Sequence, residues 1–391
     1  MAQLAFIADM PAWTLPKPDL DHFPSKVGGK PIWLHPHHIL NAERASCRIC
    51  NKPMLLLLQI YTPETAPLHA YHRCIYLFCC RNGACHRSNW RQTFKVYRSQ
   101  LPQQQKCCDV HNQVSGDIVA KTCYVCGLAG TKQCGKCHNI SYCSKEHQVF
   151  HWTAGRHKLL CDSSLPSEKS SALSKDAIAK LQKEDTEIMK RYLFSEYEMV
   201  IEDEPDTAID GLVDDMKNMD ADRNGHNGDA LAMVPFAQEQ YEESDAGVDK
   251  AFLKFQKRIC VEPDQVLRYC RVSDSPTNPA PPLWVSDFHT PPSNDIPPCP
   301  YCYSERSFEF QVMPQLLNYF KSIDHVDINA LDWGTIAIYT CPQNCSLRQS
   351  SSRLDEWYAE EIMWRQMFSE HGVADRITKI RNDHQVGIKQ Q

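Results

Sequence analysis

The sequence predicts an α+β, β-rich fold: two related antiparallel β units, each pinned by a four-cysteine site, form one scaffold that carries an inserted finger and an acidic disordered loop. Three observations predict it. A C-x2-C knuckle, a strand-like run, a connection, a second run and further cysteines occur in that order twice, once in each half of the chain. Between the two copies, eight cysteine and histidine donors fall in four closely spaced pairs. Residues 202–249 hold 15 acidic and 2 basic side chains, a net of −13, which leaves +7 for the remainder of a chain whose total is −6. Charge segregated in this way marks an appendage.

Taken in order, residues 1–45 are rich in proline and turn residues, with Val27-Gly28-Gly29-Lys30-Pro31-Ile32-Trp33-Leu34 as a turn leading into an apolar anchor. The Cys47-x2-Cys50 knuckle precedes LLLLQIY at 55–61, and CIYLFCC at 74–80 leads to Cys85, with TFKVYRS at 93–99 as a third strand. The eight donors are Cys123-x2-Cys126, Cys134-x2-Cys137, Cys143-x3-His147 and His157-x3-Cys161, with a helix expected over 145–159. Residues 173–192 show helical periodicity, and YLFSEYEMVI at 192–201 reads as a strand rejoining the scaffold. Order resumes near Lys250, with VLRYCR at 266–271 strand-like. Then come Cys299-x2-Cys302, FEFQVM at 308–313, TIAIYTC at 335–341 and Cys345. LDEWYAEEIMWRQMF at 354–368 reads as a helix with Leu354, Trp357, Tyr358, Ile362 and Met363 near one face. The expected units are therefore 1–118, 119–165, 166–201, 202–249 and 250–391.

Soft sulfur and imidazole donors suit Zn²⁺, and eight of them make two closed tetrahedral sites with no open position for catalysis. His151 stands one helical turn past His147 and is a rival ligand. The outer quartets, Cys47/Cys50/Cys80/Cys85 and Cys299/Cys302/Cys341/Cys345, predict up to two further zinc ions, with Cys79 able to replace Cys80. Buried free thiols are the alternative there. Disulfides are the alternative throughout. They are disfavoured because MAQLAFIADMPAW lacks the basic and apolar regions of a secretory signal, which points to a reducing compartment. Of the remaining cysteines, those on strands are expected in the core, and Cys107 and Cys108 at the surface. No run approaches a membrane span.

The order C-x2-C…C-x2-C…YCS-x3-H…H-x3-C, with Tyr142, Ser144 and Trp152, resembles a MYND zinc finger. That resemblance implies interleaved pairs: Cys123, Cys126, Cys143 and His147 on one ion, and Cys134, Cys137, His157 and Cys161 on the other. Most such fingers carry cysteine where this chain has His147, but imidazole is an ordinary zinc donor. More broadly, CRICNKPMLLLLQIYTPE, YHRCIYLFCCRNGAC, EYEMVIE and CPYC…FEFQVMPQLL…WGTIAIYTCPQNC resemble the programmed cell death protein 2 family across all but the acidic stretch. The resemblance implies a two-part β-rich domain with a MYND insertion, and a dedicated chaperone for a small-subunit ribosomal protein that supports 40S maturation.

The motifs of common enzymes are missing: no P-loop, G-x-S-x-G, H-E-x-x-H or dinucleotide fingerprint occurs, so catalysis is not expected. Without an RNP-type motif or a dense basic run, direct nucleic-acid binding is not expected either. The first reading is a non-enzymatic chaperone of cytoplasm and nucleus, its client held in an open groove between the β units by edge pairing and charge. The second is a nuclear adaptor whose finger recruits proline-containing corepressor peptides. The acidic stretch either shields a basic client or is a solvated linker.

Overall fold

The computed structural model describes residues 2–8, 23–103, 120–161, 174–205, 250–271, 281–320, 330–346 and 357–368. In chain order the strands are β1 (Gln3–Ile7), β2 (Lys26–Val27), β3 (Leu55–Tyr61), β4 (His72–Cys79), β5 (Phe94–Leu101), β6 (Lys132–Gln133), β7 (Ser141–Tyr142), β8 (Tyr197–Asp203), β9 (Leu267–Tyr269), β10 (Ser307–Val312), β11 (Thr335–Thr340) and β12 (Ala359–Gln366). The helices are α1 (Gly83–Asn89), α2 (Lys145–Thr153), α3 (His157–Leu160), α4 (Lys175–Tyr192) and α5 (Lys250–Val261). Among the described residues no helix is long and apolar enough to cross a membrane.

Ten strands close into one antiparallel barrel in the order β1-β8-β2-β3-β4-β5-β12-β11-β10-β9, while β6 and β7 form a separate hairpin in the finger. Closure corrects the expectation of an open groove. The two halves are joined at both seams, by β5 with β12 and by β1 with β9. Hydrogen bonding across both seams leaves neither half an edge there for a guest strand.

The duplication extends to register. The β3–β4 pairing slips by one residue between Leu56 and Leu58, and the β10–β11 pairing slips likewise between Phe308 and Phe310. Two residues beyond each bulged residue stands a buried glutamine. Gln59 donates to the Pro24 carbonyl and accepts from the Ile32 N–H, and Gln311 both donates to and accepts from the Leu283 backbone. Each half therefore ties an irregular segment to the sheet with the same side chain, which satisfies backbone groups that no strand could reach.

Three expectations fail for physical reasons. Residues 359–366 form a strand because pairing with β5 and β11 fills the last gap in the barrel. The strand also buries Glu361 against Arg98 and Arg306, which overrides the helical pattern. The acidic segment begins later than residue 202: Glu202 and Asp203 end β8 against Gln3 and Leu4, and Glu204 grips Arg268 bidentately at 3.0 Å. Residues 206–249 lie outside the described residues. The helix expected over 145–159 is broken at Ala154–Arg156, where a Cβ on Gly155 would stand 2.6 Å from the His151 ring. That break turns α3 so that His157 reaches its partners. Strand β1 and helix α5 were not expected. In α5, Phe255 packs with Leu283, Val285 and Met313 beneath the barrel wall.

Candidate metal centres

Each knuckle is built the same way. The residue after the second cysteine has positive φ: Asn51 at 56°, Gly127 at 78°, His138 at 56° and Tyr303 at 62°. Its N–H donates to the carbonyl of the first cysteine, at 2.8, 2.9, 3.0 and 2.8 Å respectively. This tight reversal aims two Sγ atoms at one point, the geometry a C-x2-C pair needs on a tetrahedral ion. Strand β3 starts five residues after Cys50 and β10 five residues after Cys302, so each outer knuckle sits at a fixed offset from its bulged strand.

The structure brings sixteen expected residues together as four separate quartets, the ligand atoms of each lying within 4.8 Å of one another. Cys47, Cys50, Cys80 and Cys85 gather where β4 ends and α1 begins, and Cys50 Sγ stands 3.8 Å from Cys80 Sγ. Cys79 is not among them. It points the other way, fully buried, 3.7 Å from His86 Nε2. Cys299, Cys302, Cys341 and Cys345 gather at the end of β11, with Sγ separations of 3.5 Å for Cys299–Cys345 and 3.4 Å for Cys302–Cys341. Of the other cysteines, Cys74 and Cys270 are buried, Cys260 is exposed, and Cys107 and Cys108 lie outside the described residues.

In the finger the pairs interleave. Cys123, Cys126, Cys143 and His147 form one quartet, and Cys134, Cys137, His157 and Cys161 the other. His147 Nδ1 lies 3.2 Å from Cys143 Sγ and 3.5 Å from Cys123 Sγ, while its Nε2 meets the Tyr192 hydroxyl at 3.2 Å. A second-nitrogen partner of this kind fixes the ring of a ligating histidine. The rival, His151, is in neither quartet. Its Nδ1 is 2.9 Å from the Tyr142 hydroxyl and its Nε2 3.2 Å from Asp185. Asp185 also accepts from the Tyr124 hydroxyl at 2.6 Å and from the Arg156 N–H at 2.9 Å. Burial would raise its carboxyl, but these hydrogen bonds hold it down at about 2. Sequence reasoning missed this pin. Its signal was an acidic residue in the apolar register Ile178, Leu181, Ile188 of α4.

The finger is docked onto the barrel. Trp33 Nε1 donates to the Gly127 carbonyl at 2.8 Å, and Ala129 N–H donates to the Leu40 carbonyl at 3.0 Å. A Cβ on Gly127 would stand 3.0 Å from Pro31, so glycine is required there by space as well as by φ. On its outer side the finger leaves a groove of about 370 Å³ lined by Gly135, Lys145, Gln148, Val149 and Trp152.

Three family models match the chain: the N-terminal domain of programmed cell death protein 2 over residues 1–114, the MYND finger over 123–161, and the C-terminal domain of programmed cell death protein 2 over 249–367. The chain is 35% identical over 378 residues to programmed cell death protein 2 of Bos taurus, covering 93% of this chain and 96% of the bovine one. It is 32% identical over 376 residues to the Mus musculus protein of that name, covering 93% and 96%. A shorter match, 29% over 136 residues and 32% of each chain, is to the probable 20S rRNA accumulation protein 4 of Schizosaccharomyces pombe. No solved structure matches.

Proposed function

Because this chain belongs to the programmed cell death protein 2 family, we propose that it is a non-enzymatic zinc-binding chaperone that escorts a small-subunit ribosomal protein and supports 40S biogenesis. The observation that carries the reading is the match to a fission yeast protein named for 20S rRNA accumulation. Two further features agree with it. All four candidate metal sites offer four protein ligands, an arrangement that suits structural rather than catalytic zinc. The strongly acidic stretch from 206 onwards is complementary to the dense basic charge of ribosomal proteins. On this reading the sites hold four zinc ions, two in the finger and one in each half, and the protein works in both cytoplasm and nucleus.

Affinity purification from cytosol and nuclear extract tests it. One stoichiometric small-subunit ribosomal protein is expected, retained when residues 123–161 are deleted. A purification without such a protein would reject the chaperone.

The groove at Val149 and Trp152 favours a second reading, in which the finger recruits proline-containing corepressor peptides. A set of corepressors lost on Cys134→Ala would support it.

A further inference from the structure

Where the finger leans on the barrel, α4, the Gly29–Ile32 turn and the start of β8 enclose a recess of about 960 Å³, separate from the groove at Trp152. Its floor is apolar, made by Pro31, Met189, Leu193 and Phe194, and its rim carries Lys30, Arg81 and Arg191. The one carboxylate in the lining, Glu196, is engaged by Lys26, whose Nζ also donates to the Lys30 carbonyl at 2.6 Å. A Cβ on Gly29, at φ 66°, would stand 2.3 Å from the Glu196 carboxylate, so this wall depends on a bare backbone.

Lys30 is placed differently from Lys26. Its ammonium stands 4.8 Å from the centroid of the Tyr124 ring, and it makes no ion pair among the described residues. Lys30 is itself half-buried, so its charge is held partly out of water. A half-buried cation beside an apolar floor gains most from a group that brings negative charge and an apolar side chain together. A basic segment, such as the proposed client would present, meets repulsion from the rim. The volume accommodates a few side chains, and the open mouth admits an extended segment.

We propose that this recess is a docking site for an acidic protein segment with an apolar anchor, carried by a partner other than the basic client. The apolar anchor would enter beside Phe194 and Leu193, and its flanking carboxylates would meet Lys30 and Arg191.

Fluorescence anisotropy on the full chain tests this with two labelled peptides, Asp-Glu-Leu-Phe-Asp-Glu and its counterpart with lysine at every acidic position. The acidic peptide should bind, and a rise from low to 0.3 M salt should weaken it severalfold. Lys30→Glu and Arg191→Glu should each weaken it at least tenfold. Lys30→Met, which keeps the apolar stem over Tyr124, should give a smaller loss with unchanged zinc content, separating charge from folding. Equal binding of the two peptides, or binding indifferent to all three substitutions, would overturn the proposal. Binding that appears only after residues 206–249 are replaced by a neutral Gly/Ser linker would assign the recess to the chain's own acidic stretch and overturn a partner.

Discussion

Arg73 and Glu309 show how one buried pair binds the two halves of the barrel. Arg73 lies on β4 and Glu309 is the bulged residue of β10. Their bidentate contacts are 2.5 and 2.7 Å, and neither side chain is exposed. Burial would raise the Glu309 carboxyl, but the Arg73 guanidinium, with Arg271 and the Thr340 hydroxyl, holds it at about 2, below its ordinary 4.5. A depressed carboxylate contributes stability that is present above its unfolded value and lost as pH falls through the folded one. The stability gap between the parent and Glu309→Gln, read from urea melts, should therefore be full above about pH 5 and close towards pH 2. Zinc release in acid acts on both chains, so the difference isolates the carboxylate. Arg73→Met should cost about 3–5 kcal/mol, because it strands a buried charge. A loss below about 1 kcal/mol would mean that water reaches Glu309. The sequence hid this pair, since 236 residues separate the partners and each reads as an ordinary charge in an alternating strand. His147 and His151 stand one helical turn apart, and the structure separates their roles: only His147 joins a quartet. His147→Ala should remove one zinc per chain, whereas His151→Ala should leave zinc content unchanged and loosen the finger, as measured by elemental analysis and limited proteolysis.

Elements repeat that lesson. Strands β3, β4, β5, β10 and β11 were legible because runs of strand length, rich in leucine, isoleucine and aromatic residues, stand beside cysteine knuckles and turn residues. Strand β12 was not, because its place is set by partners: Glu361 makes sense in a strand only once Arg98 and Arg306 are seen beside it. The knuckles were legible as spacing but not as shape. Asn51 and Tyr303 occupy left-handed backbone that a β-branched residue adopts at a cost of about 1–2 kcal/mol. Asn51→Val should lower stability by about that much and weaken zinc at the adjoining quartet, whereas Asn51→Gly should leave both nearly unchanged. Equal effects of the two substitutions in a chelator titration would refute the role assigned to φ.

At the scale of the whole molecule, metal ions in all four quartets would tie the fold of the closed barrel to zinc. On the four-ion reading, the purified chain should contain about four zinc ions, falling to about two when residues 123–161 are removed. Two falling to none would leave the outer quartets as packed thiols. The halves should also depend on each other, since separating them opens β5, β12, β1 and β9 as edges. Residues 250–391 produced alone should aggregate, and co-production with 1–249 should restore a soluble complex on gel filtration. The duplication was evident in the sequence from the repeated cysteine spacing. Closure was not, because neither seam leaves a local pattern.

That closure sets a timetable for synthesis. Strand β5 ends at Leu101 and its neighbour β12 begins at Ala359, so the ribosome makes roughly 260 further residues before the seam can form. At roughly 5–20 residues per second this is about 13–50 s. Throughout that interval the nascent N-terminal half has an unpaired strand, and early capture of a metal ion by Cys47, Cys50, Cys80 and Cys85 would brace its first hairpin beyond what the β3–β4 pairing supplies. A protein proposed to guard another's exposed surface would pass through its own unguarded period, and on the four-ion reading zinc supply during translation would become a determinant of its yield.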